Sequence, residues 1–225
     1  LQEQLKSQTE RHSWHQDEEV REGKADVDAE DVAKVWNTSG ELSVYRFEIR
    51  AYPGEVSVIL GHRGAGKTTT LKMICGTIRP TRGHIKILNN DIFLAKTLCR
   101  TKIGYSPQKN LLYDNLTVME HLWFFYFMKR PKARKAKEKW LGEAEVLIQS
   151  LDMDSFRNKL VCKLSPCEKR KLNITLAFIG GSRIVLLDEP TTDMDKPAKA
   201  CLYELVNQQK DCRWVAIVHQ NPFTK

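Results

Sequence analysis

The chain has 225 residues and a mass of 26.0 kDa, which is long enough for one α/β domain with a sizeable core. Its formal charge of +8 at pH 7 favours anionic partners such as nucleotides, lipid headgroups or nucleic acid, without choosing among them. Six scattered cysteines form no C-x-x-C pair, which argues against a disulfide framework or a zinc site and indicates reduced, cytosolic thiols. No apolar stretch approaches the roughly 20 residues that a membrane-spanning helix needs.

The first part of the chain changes character near residue 31. Residues 1–31 are polar and highly charged, which predicts a linker or flexible lead-in. Between residues 32 and 88 the sequence predicts strands and one helix. Tyr45, Phe47 and Ile49 alternate with charged residues as in a half-buried strand, and residues 84–88 predict another strand.

A phosphate-binding pattern, G-x-x-x-x-G-K-[ST], occupies residues 61–68. The apolar run 56–60 before it predicts a short buried strand, and residues 69–75 after it predict a helix. Glycines allow backbone N–H groups to face phosphate oxygens at the positive end of that helix. Lys67 would reach the β- and γ-phosphates and Thr68 would bind Mg²⁺. We therefore expect nucleotide binding, rather than an ordinary turn, through Gly61, His62, Arg63, Gly64, Ala65, Gly66, Lys67, Thr68 and Thr69.

A helical region follows, from residue 117 to about 179. Thr117 and Glu120 form a capping-box pattern that predicts the start of a helix. That helix contains the aromatic residues 123–127, which are either core residues or a docking surface. The basic run 129–137 is either a solvated loop and helix start or a contact for anionic lipid headgroups.

The α/β character returns after this region, with a predicted helix over 198–209 and a strand over 214–218. The strand that precedes them, 183–188, is apolar and ends in two carboxylates, Asp188 and Glu189. Ligands of open α/β sheets bind beyond the carboxyl ends of the strands, so both acids would face the phosphates of the nucleotide. Asp188 suits a Mg²⁺ partner and Glu189 suits a base that polarises the attacking water.

With these motifs in place, the chain resembles the ATP-binding domain of ABC transporters, especially subfamily A, the lipid exporters. The loop at 60–70 and the LLYDNLTV segment at 111–118 resemble the first of the two ATP-binding domains of that subfamily. IGYSPQ at 103–108 and FIGGSR at 178–183 match further family segments. The resemblance implies a P-loop NTPase core with a mixed sheet, an N-terminal antiparallel β part and a helical insertion subdomain. It implies a core over 32–116 and 180–225, with ATP and Mg²⁺ as cofactors.

The resemblance assigns roles to four further residues. Gln108 matches the glutamine that senses Mg²⁺ and the γ-phosphate, and His219 matches the histidine that holds the γ-phosphate. Asp195 matches the aspartate of a loop that contacts the partner domain. Trp36 matches the aromatic residue that stacks on adenine. An ordinary turn glutamine, a core or edge histidine, and core packing of the tryptophan remain the alternatives.

The segment LSPCE at residues 164–168 departs most from the family, whose signature is LSGGQ or LSGGM. In that signature, the serine and backbone N–H groups contact the nucleotide held by the partner domain. Here Pro166 removes one N–H, Cys167 adds a side chain and Glu168 adds a negative charge. Ser165 and Glu168 also form a capping-box pattern with proline at the first helical position. The sequence therefore predicts a stable helix with poor affinity for the partner's nucleotide.

The function implied by the resemblance is an ABC-type ATPase that couples ATP binding, and hydrolysis, to lipid transport. Its partners would be a second nucleotide-binding domain in a head-to-tail pair and transmembrane domains, at the cytoplasmic face of a membrane. One alternative is a nucleotide-gated module without turnover, and another is a soluble ATPase acting on nucleic acid, although no nucleic-acid module is visible. The chain ends six residues after His219, so we expect an excerpt or a C-terminally truncated domain.

Overall fold

The computed structural model describes residues 24–36, 40–131 and 137–220. These residues divide into two compact units. The first holds the described residues up to Tyr52, together with Leu60–Cys99 and Gln220, and the second holds Pro53–Ile59 and Arg100–His219. In chain order they form β1 (Val27–Val35), β2 (Leu42–Ala51), β3 (Val56–Gly61), α1 (Lys67–Ile74), β4 (Arg82–Ile87), β5 (Asn90–Asp91), α2 (Lys96–Arg100), β6 (Ile103–Ser106), α3 (Val118–Lys129), α4 (Lys137–Ser150), α5 (Pro166–Phe178), β7 (Ile184–Asp188), α6 (Lys196–Gln209) and β8 (Trp214–Gln220).

The first unit contains an antiparallel sheet with the strand order β2-β1-β4-β5. Strand β1 begins at Val27, so residues 27–31 belong to the sheet and not to the predicted lead-in. Asp28 and Glu30 alternate with buried apolar residues and lie 3.5 and 3.3 Å from Arg50 of β2. The acidic residues made this segment look like a polar linker in the sequence. In the structure they are the outward-facing residues of a strand and pair with an arginine on the neighbouring strand. Residues 1–23 lie outside the described part of the chain.

Strand β2 confirms the predicted strand, but its buried face does not follow simple alternation. Val44 and Phe47 are both buried although they are three residues apart. Between them Arg46 has a φ of 45°, and the pairing of β1 with β2 shifts register in this region. An irregularity of this kind inserts a residue and returns the following side chains to the core. The sequence pattern predicts the strand correctly and does not show the bulge.

The second unit contains a sheet with the strand order β3-β8-β7-β6, in which β6, β7 and β8 are parallel. Every residue of β7 is buried, as expected for a central parallel strand. Strand β3 lies at the edge of the sheet, and Val56 and Val58 are 39% and 53% exposed. The prediction that residues 56–60 form a strand is confirmed. The prediction that this strand is buried is wrong, because Val56 and Val58 lie on an exposed face of the strand and only Ile59, on the opposite face, is buried.

Helices α3, α4, α5 and α6 share the core of the second unit with β7 and β8. The end of α3 is tied to the end of α5, since the ammonium of Lys129 donates to the carbonyl oxygens of Leu176, Ala177 and Ile179 at 2.9–3.3 Å. A cation is favourable at a helix C-terminus, where carbonyl oxygens point outward. Burial lowers the pKa of Lys129 to about 7. The division into core and helical subdomain stays a prediction.

The aromatic residues of α3 divide between the core and the surface. Tyr126 is 1% exposed, whereas Trp123 is 51% and Phe124 39% exposed. Phe125 and Phe127 are partly buried and pack against the core. Core packing therefore holds for some members of this cluster, and docking through the exposed members stays a prediction. Most of the basic run, residues 132–136, lies outside the described residues.

Candidate functional site

The phosphate-binding pattern forms a loop in the first unit, between β3 and α1. Gly64 and Gly66 have φ angles of 84° and 82°, which other residues rarely adopt. A Cβ atom on Gly66 would lie 2.1 Å from the Ser43 carbonyl oxygen. Gly66 is also the residue that precedes α1, so the loop passes close to β2 immediately before the helix begins. Glycine is therefore required at residue 66 for both conformation and space.

Lys67 lies at the start of α1, and its ammonium turns back toward the loop. It donates to the carbonyl oxygens of Gly61 at 2.6 Å and His62 at 2.8 Å. The side chain is buried, while His62 and Arg63 are exposed. Thr69 accepts a hydrogen bond of 3.1 Å from the Ser43 hydroxyl. The ammonium of Lys67 is thus held against the loop by two of the loop's own carbonyl oxygens.

Trp36 follows β1 in the first unit and is half-buried. Its N–H donates to the Glu41 carbonyl at 2.9 Å, and its own carbonyl accepts from the Gly40 N–H at 2.7 Å. The ammonium of Lys34 lies 5.1 Å from the centroid of the Trp36 ring, a cation–π contact. Stacking of this ring on a base stays a prediction.

The acidic end of β7 lies in the second unit. Asp188 is 1% exposed, and its Oδ2 accepts a hydrogen bond of 3.4 Å from the Tyr105 hydroxyl. Its Oδ1 is buried without a hydrogen-bond partner among the described residues. A buried carboxylate oxygen left without a donor is costly. It therefore favours a site that a cation or a bound water completes.

Glu189, the next residue, adopts a φ of 48° in the left-handed region. This conformation is uncommon for a residue with a side chain and is concentrated at functional sites. Its N–H donates to Val218 of β8 at 3.0 Å. Its carboxylate Oε2 lies 3.6 Å from Nδ1 of His219, and both side chains are mostly buried. The structure thus brings together two of the predicted catalytic residues, Glu189 and His219.

Arg170, on α5, contacts the predicted site, although no motif in the sequence points to it. Its guanidinium is fully buried and donates to the carbonyl oxygens of Asp188 at 2.6 Å and Glu189 at 2.7 Å. It also donates to the carbonyl oxygens of Pro107 at 2.7 Å and Gln108 at 3.2 Å. The Gln108 side chain itself is exposed. Arg170 therefore connects the loop of Gln108 to the acidic end of β7.

The Ser165 segment forms the predicted capping box at the start of α5. Glu168 accepts a hydrogen bond of 2.7 Å from the Ser165 N–H and donates its own N–H to the Ser165 hydroxyl at 3.2 Å. Pro166 occupies the first helical turn, as predicted. Burial alone raises the pKa of Glu168, but the hydrogen bonds from Ser165 and the nearby Lys159 lower it overall. The helix N-terminus is thus satisfied by a carboxylate of its own chain.

Asp195 precedes α6 and caps it, because its Oδ1 accepts a hydrogen bond of 2.9 Å from the Ala198 N–H. This local role is typical of aspartate at a helix start. The contact of Asp195 with a partner domain stays a prediction. The six cysteines are all free thiols. Across the described part of the chain, no three His, Cys, Asp or Glu side chains gather into a metal-binding group.

Comparison with known proteins places these features in a family. Residues 44–192 match the family described as ABC transporter. The chain belongs to the ABC transporter family. The ABC transporter ced-7 of Caenorhabditis elegans is 39% identical over 86% of this chain, and human ATP-binding cassette sub-family A member 2 is 37% identical over 83%. The phospholipid-transporting ATPase ABCA3 of Rattus norvegicus is 35% identical over 86%. The alignments cover 11%, 8% and 11% of those relatives, so this ABC domain spans about a tenth of their length.

A solved structure of the ATP-binding subunit of an ABC transporter has the same fold. Its TM-score with this chain is 0.76 at 24% sequence identity, over 86% of this chain and 79% of that one. The predicted family and the predicted mixed α/β fold are confirmed. The chain is an ATP-binding domain of the ABC transporter family, and the relatives named above by subfamily belong to subfamily A. In the described residues, no helix is both long and apolar enough to cross a membrane.

Proposed function

We propose that this ABC domain hydrolyses MgATP, with Glu189 as the base. The observation that carries the proposal is the end of β7, where the Glu189 carboxylate lies 3.6 Å from His219. Most of each side chain is shielded from water, so solvent competes less for this contact than it would at the surface. A carboxylate with fixed backbone and a neighbouring imidazole is suited to orienting one water molecule.

The chemistry assigned to these residues is the transfer of the γ-phosphoryl group to water. The water oxygen forms a bond to the γ-phosphorus while the bond to the bridging oxygen breaks, which releases ADP and phosphate. Glu189 accepts the proton of the attacking water, and His219 holds the γ-phosphate. Lys67, already directed toward the loop by two carbonyl oxygens, offsets negative charge on the β- and γ-phosphates.

A magnesium ion fits the types of ligand that the chain offers. The buried Oδ1 of Asp188, which lacks a hydrogen-bond partner among the described residues, is an oxygen of the kind that Mg²⁺ prefers. The hydroxyl of Thr68 and the amide oxygen of Gln108 would be the other protein ligands. When bound, the ion neutralises charge on the β- and γ-phosphates. These residues would hold the ion beside the nucleotide.

We propose that this ATP hydrolysis drives lipid transport, because one relative is named a phospholipid-transporting ATPase. The domain would act at the cytoplasmic face of a membrane, through transmembrane domains and a second nucleotide-binding domain. In a head-to-tail pair, the loop of each domain faces the signature of the other. The capping box at Ser165 and Glu168 would weaken the partner's nucleotide site. We therefore propose one competent and one weak ATP site.

A second candidate function is nucleotide-gated ordering without turnover. The capping box favours it, because Glu168 occupies the helix N-terminus that a phosphate would otherwise use. In this case ATP would bind to the loop at residues 61–68 and close the pair of domains. No chemical step would follow, and the Glu189 side chain would be dispensable. The two candidates therefore differ in turnover and agree in binding.

Binding is tested first by titrating a fluorescent ATP analogue into the intact protein with and without Mg²⁺. We expect Lys67→Ala to weaken binding by about tenfold or more, because a charged contact to phosphate is lost. Asp188→Asn is expected to lower affinity only when Mg²⁺ is present. Lys72→Ala, on the same helix, is the matched control and should bind normally. Equal affinity in the wild type and Lys67→Ala would contradict the proposal.

A further inference from the structure

Arg170 donates hydrogen bonds to oxygen atoms of several residues at once. It lies five residues after Ser165 on α5, and it is fully buried. Its three guanidinium nitrogens, which together carry five N–H donors, are shared among six acceptors. These are the carbonyl oxygens of Pro107, Gln108, Asp188, Glu189 and Pro190 and the side-chain oxygen of Asn110.

The six acceptors come from two segments that are distant in sequence. One is the loop after β6, which carries Gln108, and the other is the turn after β7, which carries Glu189. Arg170 reaches both from a helix that belongs to neither segment. Asn173, one turn further along α5, adds bonds to the Ser106 hydroxyl at 3.0 Å and the Pro107 carbonyl at 3.2 Å. Helix α5 thus holds the first loop from two positions.

The backbone of Glu189 is held at both of its polar groups. Its N–H donates to Val218, and its carbonyl oxygen accepts from Arg170. A φ of 48° is unfavourable for a residue with a side chain, so the surrounding contacts must maintain this conformation. Arg170 supplies the shorter of two hydrogen bonds to that carbonyl oxygen, at 2.7 Å, and the Thr192 N–H supplies the other at 3.2 Å. Arg170 is thus one of the groups that fix the direction in which the Glu189 side chain leaves the backbone.

The charge of Arg170 is also suited to this place. Burial lowers the pKa of Arg170, while the negative charges of Asp188, Asp193 and Glu189 oppose that effect. A lysine would keep the charge, but it has one nitrogen and three donors and lacks the planar fork. A lysine therefore cannot donate to the loop after β6 and to the turn after β7 at the same time, as the guanidinium does. The arrangement therefore requires arginine in particular and not merely a cation.

We propose that Arg170 is a positioning residue, which couples the Gln108 loop to the Glu189 turn within one chain. Helix α5 would then serve the nucleotide site of its own chain, in addition to presenting its N-terminus to a partner. This inference rests on the proposed function, in which Glu189 acts as the base.

The test compares Arg170→Lys with Arg157→Lys in the intact protein. Arg157 is the control, because its guanidinium also donates from two nitrogens, in this case to the Glu145 carboxylate at 2.7 and 3.0 Å. We expect Arg170→Lys to lower kcat by about tenfold or more with little change in KM, the pattern of a group needed only in the transition state. Arg157→Lys should leave both constants close to those of the wild type. An unchanged kcat in folded Arg170→Lys would overturn the proposal.

A second measurement separates this inference from the proposed function. Hydrogen exchange should quicken in peptides that cover 107–110 and 188–192 of Arg170→Lys, and not in those of α3. Faster exchange in both segments would support the coupling even if the wild type did not hydrolyse ATP. An absence of turnover would contradict only the proposed hydrolysis. Unchanged exchange in both segments would contradict the coupling. If Arg170→Lys does not fold, Asn110→Ala removes one acceptor and should quicken exchange at 107–110, and unchanged exchange there would equally contradict it.

Discussion

The Glu168 carboxylate accepts a hydrogen bond of 2.7 Å from the backbone N–H of Ser165. The reciprocal bond, from the Glu168 N–H to the Ser165 hydroxyl, is 3.2 Å long. Two donors at the start of α5 are thereby satisfied within the chain. In the family signature that the sequence resembles, the same helix N-terminus faces a nucleotide. A carboxylate in this place competes with a phosphate for the same donors and repels its charge.

The first prediction concerns the charge of Glu168. We expect Glu168→Gln to keep the capping box, since glutamine also accepts from the Ser165 N–H, and to raise ATP affinity at the partner's site. Thr117 and Glu120 form the same box on α3, so Glu120→Gln is the matched control and should not change ATP affinity. Titration of nucleotide into the intact protein, with its own loop disabled by Lys67→Ala, measures this effect. No gain in affinity would show that Glu168 does not weaken the site.

The second prediction concerns Gly104 of β6, which lies against α5. A Cβ atom at residue 104 would stand 1.6 Å from the Ala177 carbonyl oxygen, so strand and helix must separate in Gly104→Ala. We expect a loss of roughly 1–3 kcal/mol or more in the free energy of unfolding. Gly142 of α4 has open space around it, and Gly142→Ala should gain roughly 0.5–1 kcal/mol because alanine is the better helix former. Urea unfolding of both variants and the wild type measures these changes. If Gly104→Ala were as stable as the wild type, the close contact between residue 104 and α5 would be refuted.

The third prediction concerns the acid sensitivity that His121 confers. Its ring is buried, with Nδ1 donating to the Thr117 carbonyl at 2.9 Å and Nε2 accepting from the Tyr113 N–H at 2.9 Å. The bond to Nε2 requires the neutral ring, because a protonated ring has no acceptor nitrogen, and burial lowers the pKa of His121. The unfolded chain therefore binds the proton more readily, and stability falls as the pH drops below about 6.5, the ordinary histidine value.

This dependence is measured by urea unfolding between pH 8 and pH 5. The wild type should lose stability toward pH 5 more steeply than His121→Gln, which has no ring to protonate. His84 is exposed, so His84→Gln should keep the steep dependence of the wild type. Parallel curves for the wild type and His121→Gln would show that His121 does not titrate differently in the folded state.

Local features of this chain are predictable from the sequence, because their partners lie within one helical turn. The capping boxes that begin at Thr117 and Ser165 are of this kind, and both are present as predicted. The phosphate loop is a second case, since its glycines, lysine and flanking elements are adjacent in sequence. The edge position of β3 and the bulge near Arg46 depend on neighbouring strands. Neither the edge position nor the bulge produces a recognisable residue pattern in its own part of the sequence.

Arg170 shows most clearly what sequence patterns miss. Five of its six acceptors are backbone carbonyl oxygens, which every residue has, and they come from segments 18–63 residues away. It stands between Lys169 and Lys171 in a basic run, as solvated residues commonly do. Its only sequence signal is helical spacing, which places it on one face with Asn173 and the buried Ala177. That spacing indicates burial but not the coupling of two loops.

MgATP turnover by the intact protein decides whether Glu189 is the base of an active ATPase. We expect Glu189→Gln to bind MgATP as the wild type does and to hydrolyse it at least about a hundredfold more slowly, because general-base catalysis contributes on this scale. Glu204→Gln, an exposed residue of α6, should hydrolyse normally. Equal turnover in the wild type and Glu189→Gln, or tight binding without turnover in both, would contradict the claim.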